Sequence, residues 1–204
     1  MQLSNRMMIF VILWGALAGS VQAQGDGDAT RVRDVDVLLY MIDIDEVNSV
    51  AQSFKATVYA EFQWHDPSLA HAGPDSTRRK LNDIWYPETQ ILNQQKLVDT
   101  FPRFAEVRPN GDVIFRQRVW GDFSQNLELR HFPFDKQRLE ITLVNVAFGS
   151  TRVRYEVNAG SGVSEKLRIP DWKVLSWDVS AVDIPVGAGS SAVSAVVLSV
   201  DVER

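Results

Sequence analysis

The 204-residue chain contains no cysteine, which excludes disulfides, thiolate nucleophiles and cysteine-ligated zinc or iron–sulfur centres. Histidine is scarce too. His65, His71 and His131 are the only three, and none falls in an HExxH or other paired-ligand spacing, so the sequence gives no basis for a metal site or a resident cofactor. Positive charge is in deficit, 21 basic residues against 26 acidic ones, and neither Arg78-Arg79-Lys80 nor Arg116 with Arg118 makes a stripe long enough to hold nucleic acid. Catalytic signatures are missing as well. There is no GxSxG, GxGxxG or GxxxxGK[ST] string and no histidine with an identifiable orienting partner, so the chain reads as a non-enzyme. Glycine and proline, at 12 and 8, are too few for collagen-like or low-complexity chains, and 45% hydrophobic residues suffice for one folded domain.

One long apolar run is present, residues 7–18, preceded by Arg6 and followed by small residues ending at Val21-Gln22-Ala23. That order is the one expected of a cleaved secretory signal, and the run falls short of the roughly 20 residues that span a bilayer. Residues 1–23 are therefore expected to be a signal peptide and residues 24–204 a single exported domain. No internal repeat, compositional break or linker divides that domain.

From residue 35 onward the hydrophobic period is two. Phe54, Ala56, Val58, Ala60, Phe62 and Trp64 alternate with Lys55, Thr57, Tyr59, Glu61 and Gln63, the pattern of a half-buried antiparallel strand. The alternation returns at Leu139, Ile141 and Leu143, and again at Val196, Leu198, Val200 and Val202. Residues 35–42, 113–119 and 172–184 read as further strands, and Asn110-Gly111 is a hairpin signal because both residues tolerate left-handed dihedrals. The only helical pieces expected are short, near 75–82 and near the start of the mature chain. Such a run of strands without crossover helices points to an all-β sandwich.

The most unusual string is His131-Phe132-Pro133-Phe134-Asp135-Lys136-Gln137, just before the strand at 139–146. Pro133 sets a turn, the two rings can pack on a neighbouring surface, and Asp135 can cap backbone groups or meet a cation. A structural turn with a buried Phe and a specialised interface both fit that content.

Taken with that string, Trp64-His65-Asp66, Trp85-Tyr86-Pro87-Glu88 with Asn93, Pro109-Asn110-Gly111-Asp112, Trp177-Asp178 and Val200-Asp201-Val202-Glu203-Arg204 resemble, in order, the extracellular ligand-binding domain of the pentameric ligand-gated ion channels. This is the Cys-loop receptor superfamily, and the resemblance extends over nearly all of the chain after residue 23. Gln125 and Leu139 occupy the two disulfide positions of its animal members, a departure that resembles the bacterial branch.

The resemblance implies an immunoglobulin-like twisted β-sandwich of about ten strands, assembled as a homo-pentamer with a small molecule or a proton bound between neighbours. One side of that site would come from residues 85–93, 146–151 and 185–193, with Tyr86 and Phe148 as candidate contacts. The other would come from Tyr59, Arg116, Arg118 and residues 157–168. Gating would run through Asp45, Glu46, Phe132, Pro133, Phe134, Asp135 and Arg204 to a transmembrane domain of the same protein, placing this domain on the periplasmic side of a bacterial inner membrane. The flap at 185–193 carries no Tyr or Trp, Val146 stands where the family's loop has Trp, and Leu92 replaces a Tyr, so recognition of a quaternary amine is not expected. A stand-alone soluble periplasmic small-molecule-binding protein is the alternative reading.

Overall fold

The computed structural model describes residues 32–130, 134–146, 152–185 and 192–204. Twelve strands follow one another: β1 Val32–Asn48, β2 Ser53–His65, β3 Thr77–Lys80, β4 Thr89–Ile91, β5 Gln94–Asp99, β6 Phe104–Val107, β7 Asp112–Ser124, β8 Lys136–Asn145, β9 Arg152–Val157, β10 Gly162–Val163, β11 Lys173–Pro185 and β12 Ala192–Glu203. They form two sheets. The first has the path β10-β1-β2-β7-β6-β3, with β5 also on β7 and β9 also on β1; the second runs β11-β12-β8-β4.

The period-two patterns decide which faces meet. Phe54, Ala56, Val58, Phe62 and Trp64 of β2 are buried, as are Leu139, Ile141 and Leu143 of β8 and Val196, Leu198, Val200 and Val202 of β12, so the two apolar faces enclose one core. Each such Val, Leu, Ile or Phe contributes roughly 1.5–3 kcal/mol relative to exposure. Phe62 stacks on Phe115 with ring centroids 5.9 Å apart, and Phe54 lies 5.4 Å from Phe123. Tyr155 of β9 is also inside the core; burial pushes its phenol up to about 12, so it stays neutral while sharing a 2.8 Å hydrogen bond with Thr89.

The all-β sandwich expected from the sequence is present, with twelve strands among the described residues. Three details differ. Residues 77–80 form β3, antiparallel to β6, where a helix was expected, and only a single 3₁₀ turn follows at Leu81–Asp83. All four β3 residues are exposed and Leu81 alone is buried, so there is no helical apolar stripe to dock. Edge pairing, with Arg78 opposite Glu106, satisfies the backbone instead. Second, β9 and β10 pair with β1 in parallel, a pairing the antiparallel strand pattern gave no sign of. Third, β1 continues to Asn48, beyond the expected 42, past register shifts at Met41/Asp43 and Ile44/Glu46. The expected signal peptide and the short helix near the mature start lie outside the described residues.

The β6–β7 hairpin forms at the Asn110-Gly111 signal. Gly111 has φ 89°, its N–H donates to Arg108 O at 2.9 Å and its carbonyl accepts from Asp66 N at 2.9 Å. A Cβ on Gly111 would come within 2.6 Å of Asp66 O, so both dihedral and space demand glycine.

Candidate functional site

The outer face of the first sheet carries the candidate residues of β2 and β7. Strand register sets Glu61 opposite Arg116, Tyr59 opposite both Arg118 and Tyr40, and Thr57 opposite Trp120. Residues directly opposite share a face, with Cβ atoms roughly 5 Å apart. Register thus makes a row, Tyr40–Tyr59–Arg118, across three strands. Phe101, in the segment after β5, meets the Tyr59 ring edge-on at 6.3 Å, and Trp120 donates from Nε1 to Asp45 at 2.8 Å.

Beside that row sits a closed polar network. Glu61 accepts from Tyr59 Oη at 2.8 Å, Gln63 Nε2 at 2.7 Å and Arg116 Nε at 2.7 Å, while Arg116 Nη1 reaches Glu106 at 3.1 Å. The Glu61 side chain is only 15% exposed. Burial would raise its carboxyl, yet the hydrogen bonds from Tyr59, Arg116 and Gln63 outweigh burial and hold it below the usual carboxylate value. Burial followed by the bond to Glu61 raises the Tyr59 phenol, which therefore stays protonated and keeps donating at neutral pH. Arg116 is committed to two carboxylates, whereas Arg118 is exposed.

Tyr86 is half-buried, and its Oη accepts from Arg103 Nη2 at 3.4 Å. The tryptophans of its motif and of Trp64-His65-Asp66 meet edge-on, with Trp64 and Trp85 5.7 Å apart. Arg33 lies 4.3 Å over Trp85 and donates to Asp66 at 3.2 Å. These two strings thus form a packing lock between β1, β2 and the segment before β4. Phe148, the other candidate on that side, lies outside the described residues.

The junction residues gather at one end of the sandwich. Asp135 is 2% exposed; its Oδ2 accepts from Gln137 Nε2 at 2.6 Å, Oδ1 is buried with no hydrogen-bond partner among the described residues, and its carbonyl accepts from Arg204 N at 3.1 Å. Gln137 also grips Glu128, donating to its carbonyl at 2.7 Å and accepting from its N–H at 2.9 Å. The Arg204 guanidinium lies 4.5 Å over the Trp172 ring and donates to Ser49 Oγ at 3.3 Å. Phe134 is 81% exposed, so it is not the buried ring of a structural turn. Phe132 and Pro133 lie outside the described residues. Asp45 and Glu46 belong to β1, and their carboxylates engage Trp120 and, at 2.7 Å, Lys55. Ser49, on the β1–β2 turn, makes the loop's contact to Arg204.

Sequence reasoning did not single out Tyr40, Phe101, Glu106, Trp120, Ser49 or Trp172, and named Glu61 without a place beside the ligand residues. Glu61 was within reach, since it follows Tyr59 on the same polar face. Phe101 and Trp172 required tertiary placement. Gln125, at one former disulfide position, accepts from Glu140 N at 3.1 Å, so a hydrogen bond ties these strands where the resemblance puts a covalent bridge. Among the described residues no group of three or more His, Asp or Glu could hold a metal ion, and no helix is long and apolar enough to cross a membrane.

Residues 24–195 match the family described as the neurotransmitter-gated ion-channel ligand binding domain. Similar proteins include an acetylcholine-gated chloride channel subunit of Caenorhabditis elegans, 25% identical over 168 residues, which cover 76% of this chain and 36% of that protein. A proton-gated ion channel of Gloeobacter violaceus is 27% identical over 114 residues, 54% of this chain and 32% of the relative. A gamma-aminobutyric acid receptor subunit pi of Rattus norvegicus is 26% identical over 124 residues, 56% and 28%. The chain spans about a third of the length of these relatives.

Proposed function

The chain belongs to the family of neurotransmitter-gated ion-channel ligand-binding domains, and from that premise we propose that it senses ligand for a homo-pentameric channel. A small molecule or a proton binds between subunits, on one side at Tyr59, Arg116 and Arg118 and on the other at Tyr86, Phe148 and the flap. Closure of the flap on the β11–β12 hairpin shifts β12 against β8. The shift is delivered where Asp135 holds Arg204, and Phe132, Pro133 and Phe134 press on the pore domain. Export of residues 24–204 behind a signal peptide places the site on the periplasmic side of a bacterial inner membrane.

The observation that carries this reading is the convergence at one end of the fold. The β1–β2 turn, the turn before β8 and the last residue of the chain meet through Ser49, Asp135 and Arg204, so a displacement of any one reaches the others. A network of this kind biases a two-state equilibrium more than it stabilises the fold.

The test is the mass and assembly of the product expressed from the gene with its downstream sequence intact. A membrane-bound ring of five subunits, each well above 23.0 kDa, is expected. A soluble product near that mass would instead favour the stand-alone binding protein.

A further inference from the structure

We propose that Tyr155 is a positioning residue that ties the three segments on one side of the ligand site into a single moving unit. The inference rests on the ligand-binding reading above, in which that side is built from residues 85–93, 146–151 and 185–193, and adds how the three are coupled.

The pattern of β9 gives position 155 no reason to be polar. Val153, Tyr155 and Val157 alternate along the strand, Val35 pairs with Tyr155 from β1, and Tyr155 is 2% exposed within the shared core. Phenylalanine would fill the same space without a hydroxyl to satisfy, and a buried hydroxyl is costly unless it is bonded. Here it is bonded, at the roots of two of the three segments. Thr89 gives its one hydroxyl proton to Pro87 O at 2.9 Å, so at the 2.8 Å contact the Tyr155 phenol is the donor. Burial keeps that phenol neutral, with its proton in place to donate, and the Asn145 side chain bonds to it as well. Asn145 pairs with Thr89 across β8 and β4 and donates from Nδ2 to Glu88 O at 3.2 Å, where Val146 N also donates at 2.8 Å.

The third root is reached through the main chain. Tyr155 N donates to Ser194 Oγ at 2.9 Å, and Ser194 stands opposite Asp183 at the base of the β11–β12 flap. In the second sheet β12 and β4 are not neighbours, because β8 lies between them. Tyr155 bridges them from the first sheet, by its backbone to β12 and by its hydroxyl to β4. In a close-packed core a displacement of the flap base is therefore handed through Tyr155 to Thr89 and Asn145. Buried as it is, Tyr155 acts on the ligand through the segments that hold it.

The experiment is hydrogen exchange read by mass spectrometry on the unliganded full gene product. Thr89→Val removes the bond at the β4 end and should speed exchange of residues 192–196, at the opposite end of the link, about tenfold, the factor that one hydrogen bond commands. Thr89→Ser keeps a hydroxyl and should restore the original rate. Tyr155→Phe should speed residues 85–93, 143–146 and 192–196 together, leave residues 56–62 of β2 unchanged, and add nothing at residues 192–196 when combined with Thr89→Val. Acceleration confined to residues 85–93, with residues 192–196 unaltered, would overturn the proposal and leave Tyr155 a satisfied core residue. Uniform acceleration across the domain would overturn it too, since a loss of global stability is what a purely structural hydroxyl gives. None of these results needs a ligand or a current, so a failure here leaves the ligand-binding reading standing, and that reading fails separately if the product does not assemble into rings.

Discussion

At Glu61 three donors converge on one carboxylate, and the consequence is measurable as a dependence on pH. A carboxylate held below its usual value stabilises the fold fully above the unfolded-state value and loses that contribution as pH falls toward its depressed one. Denaturant unfolding between pH 7 and 3 should therefore show a loss that sets in below about pH 4.5. Glu61→Gln should be less stable at pH 7 yet lose less across that interval, and identical slopes for the two proteins would remove Glu61 from the account. In the core, Phe62→Ala should cost about 3–5 kcal/mol, because a fully buried ring stacked on Phe115 leaves a cavity. The sequence made the burial of Phe62 legible through its alternation with Glu61 and Gln63. It did not make legible that Arg116 is occupied, since Glu106 arrives from a different strand.

Whole elements were read with uneven success, for a reason visible in their patterns. β2, β8 and β12 alternate strictly, so the sequence specifies both the strand and the face it buries. β3 buries nothing, and β9 and β10 take their place from parallel pairing to β1, so these three are defined by partners far away in the chain. The β6–β7 turn was legible from two residues, and its test is Gly111→Ala. Both the positive φ and the 2.6 Å approach to Asp66 O oppose a side chain there, so thermal unfolding should report a loss of about 1–3 kcal/mol. A melting temperature equal to that of the unaltered chain would show that the turn relaxes freely. Asn93 joins the two sheets, its Nδ2 donating to Ser124 O at 3.1 Å on β7 and to Glu140 O at 2.7 Å on β8. Asn93→Ala should cost about 1–3 kcal/mol for these two bonds in equilibrium unfolding, and a neutral result would mean that water replaces both.

On the scale of the whole molecule, the order of short strings along the chain revealed more than any one of them. Trp64 and Trp85 are 21 positions apart and meet in the fold; Asp135 and Arg204 are 69 apart and share a hydrogen bond. The resemblance put both residues on one gating path, while their backbone bond, with Ser49 and Trp172 beside Arg204, followed only from the structure. Phe134, 81% exposed beside that junction, is a large apolar side chain with no burial in this domain to account for it. In the proposed channel it contacts the pore domain, so Phe134→Ala should leave the unfolding of the domain nearly unchanged while altering gating.

The most direct measurement is therefore the ionic current carried by the full gene product reconstituted in a planar bilayer, with small molecules and then protons applied to the face bearing this domain. A current should open on application, and a Phe134→Ala variant should assemble normally but need a markedly different concentration to open. A correctly assembled product that stays silent to every ligand bound by its domain, or one whose current ignores Phe134→Ala, would contradict it.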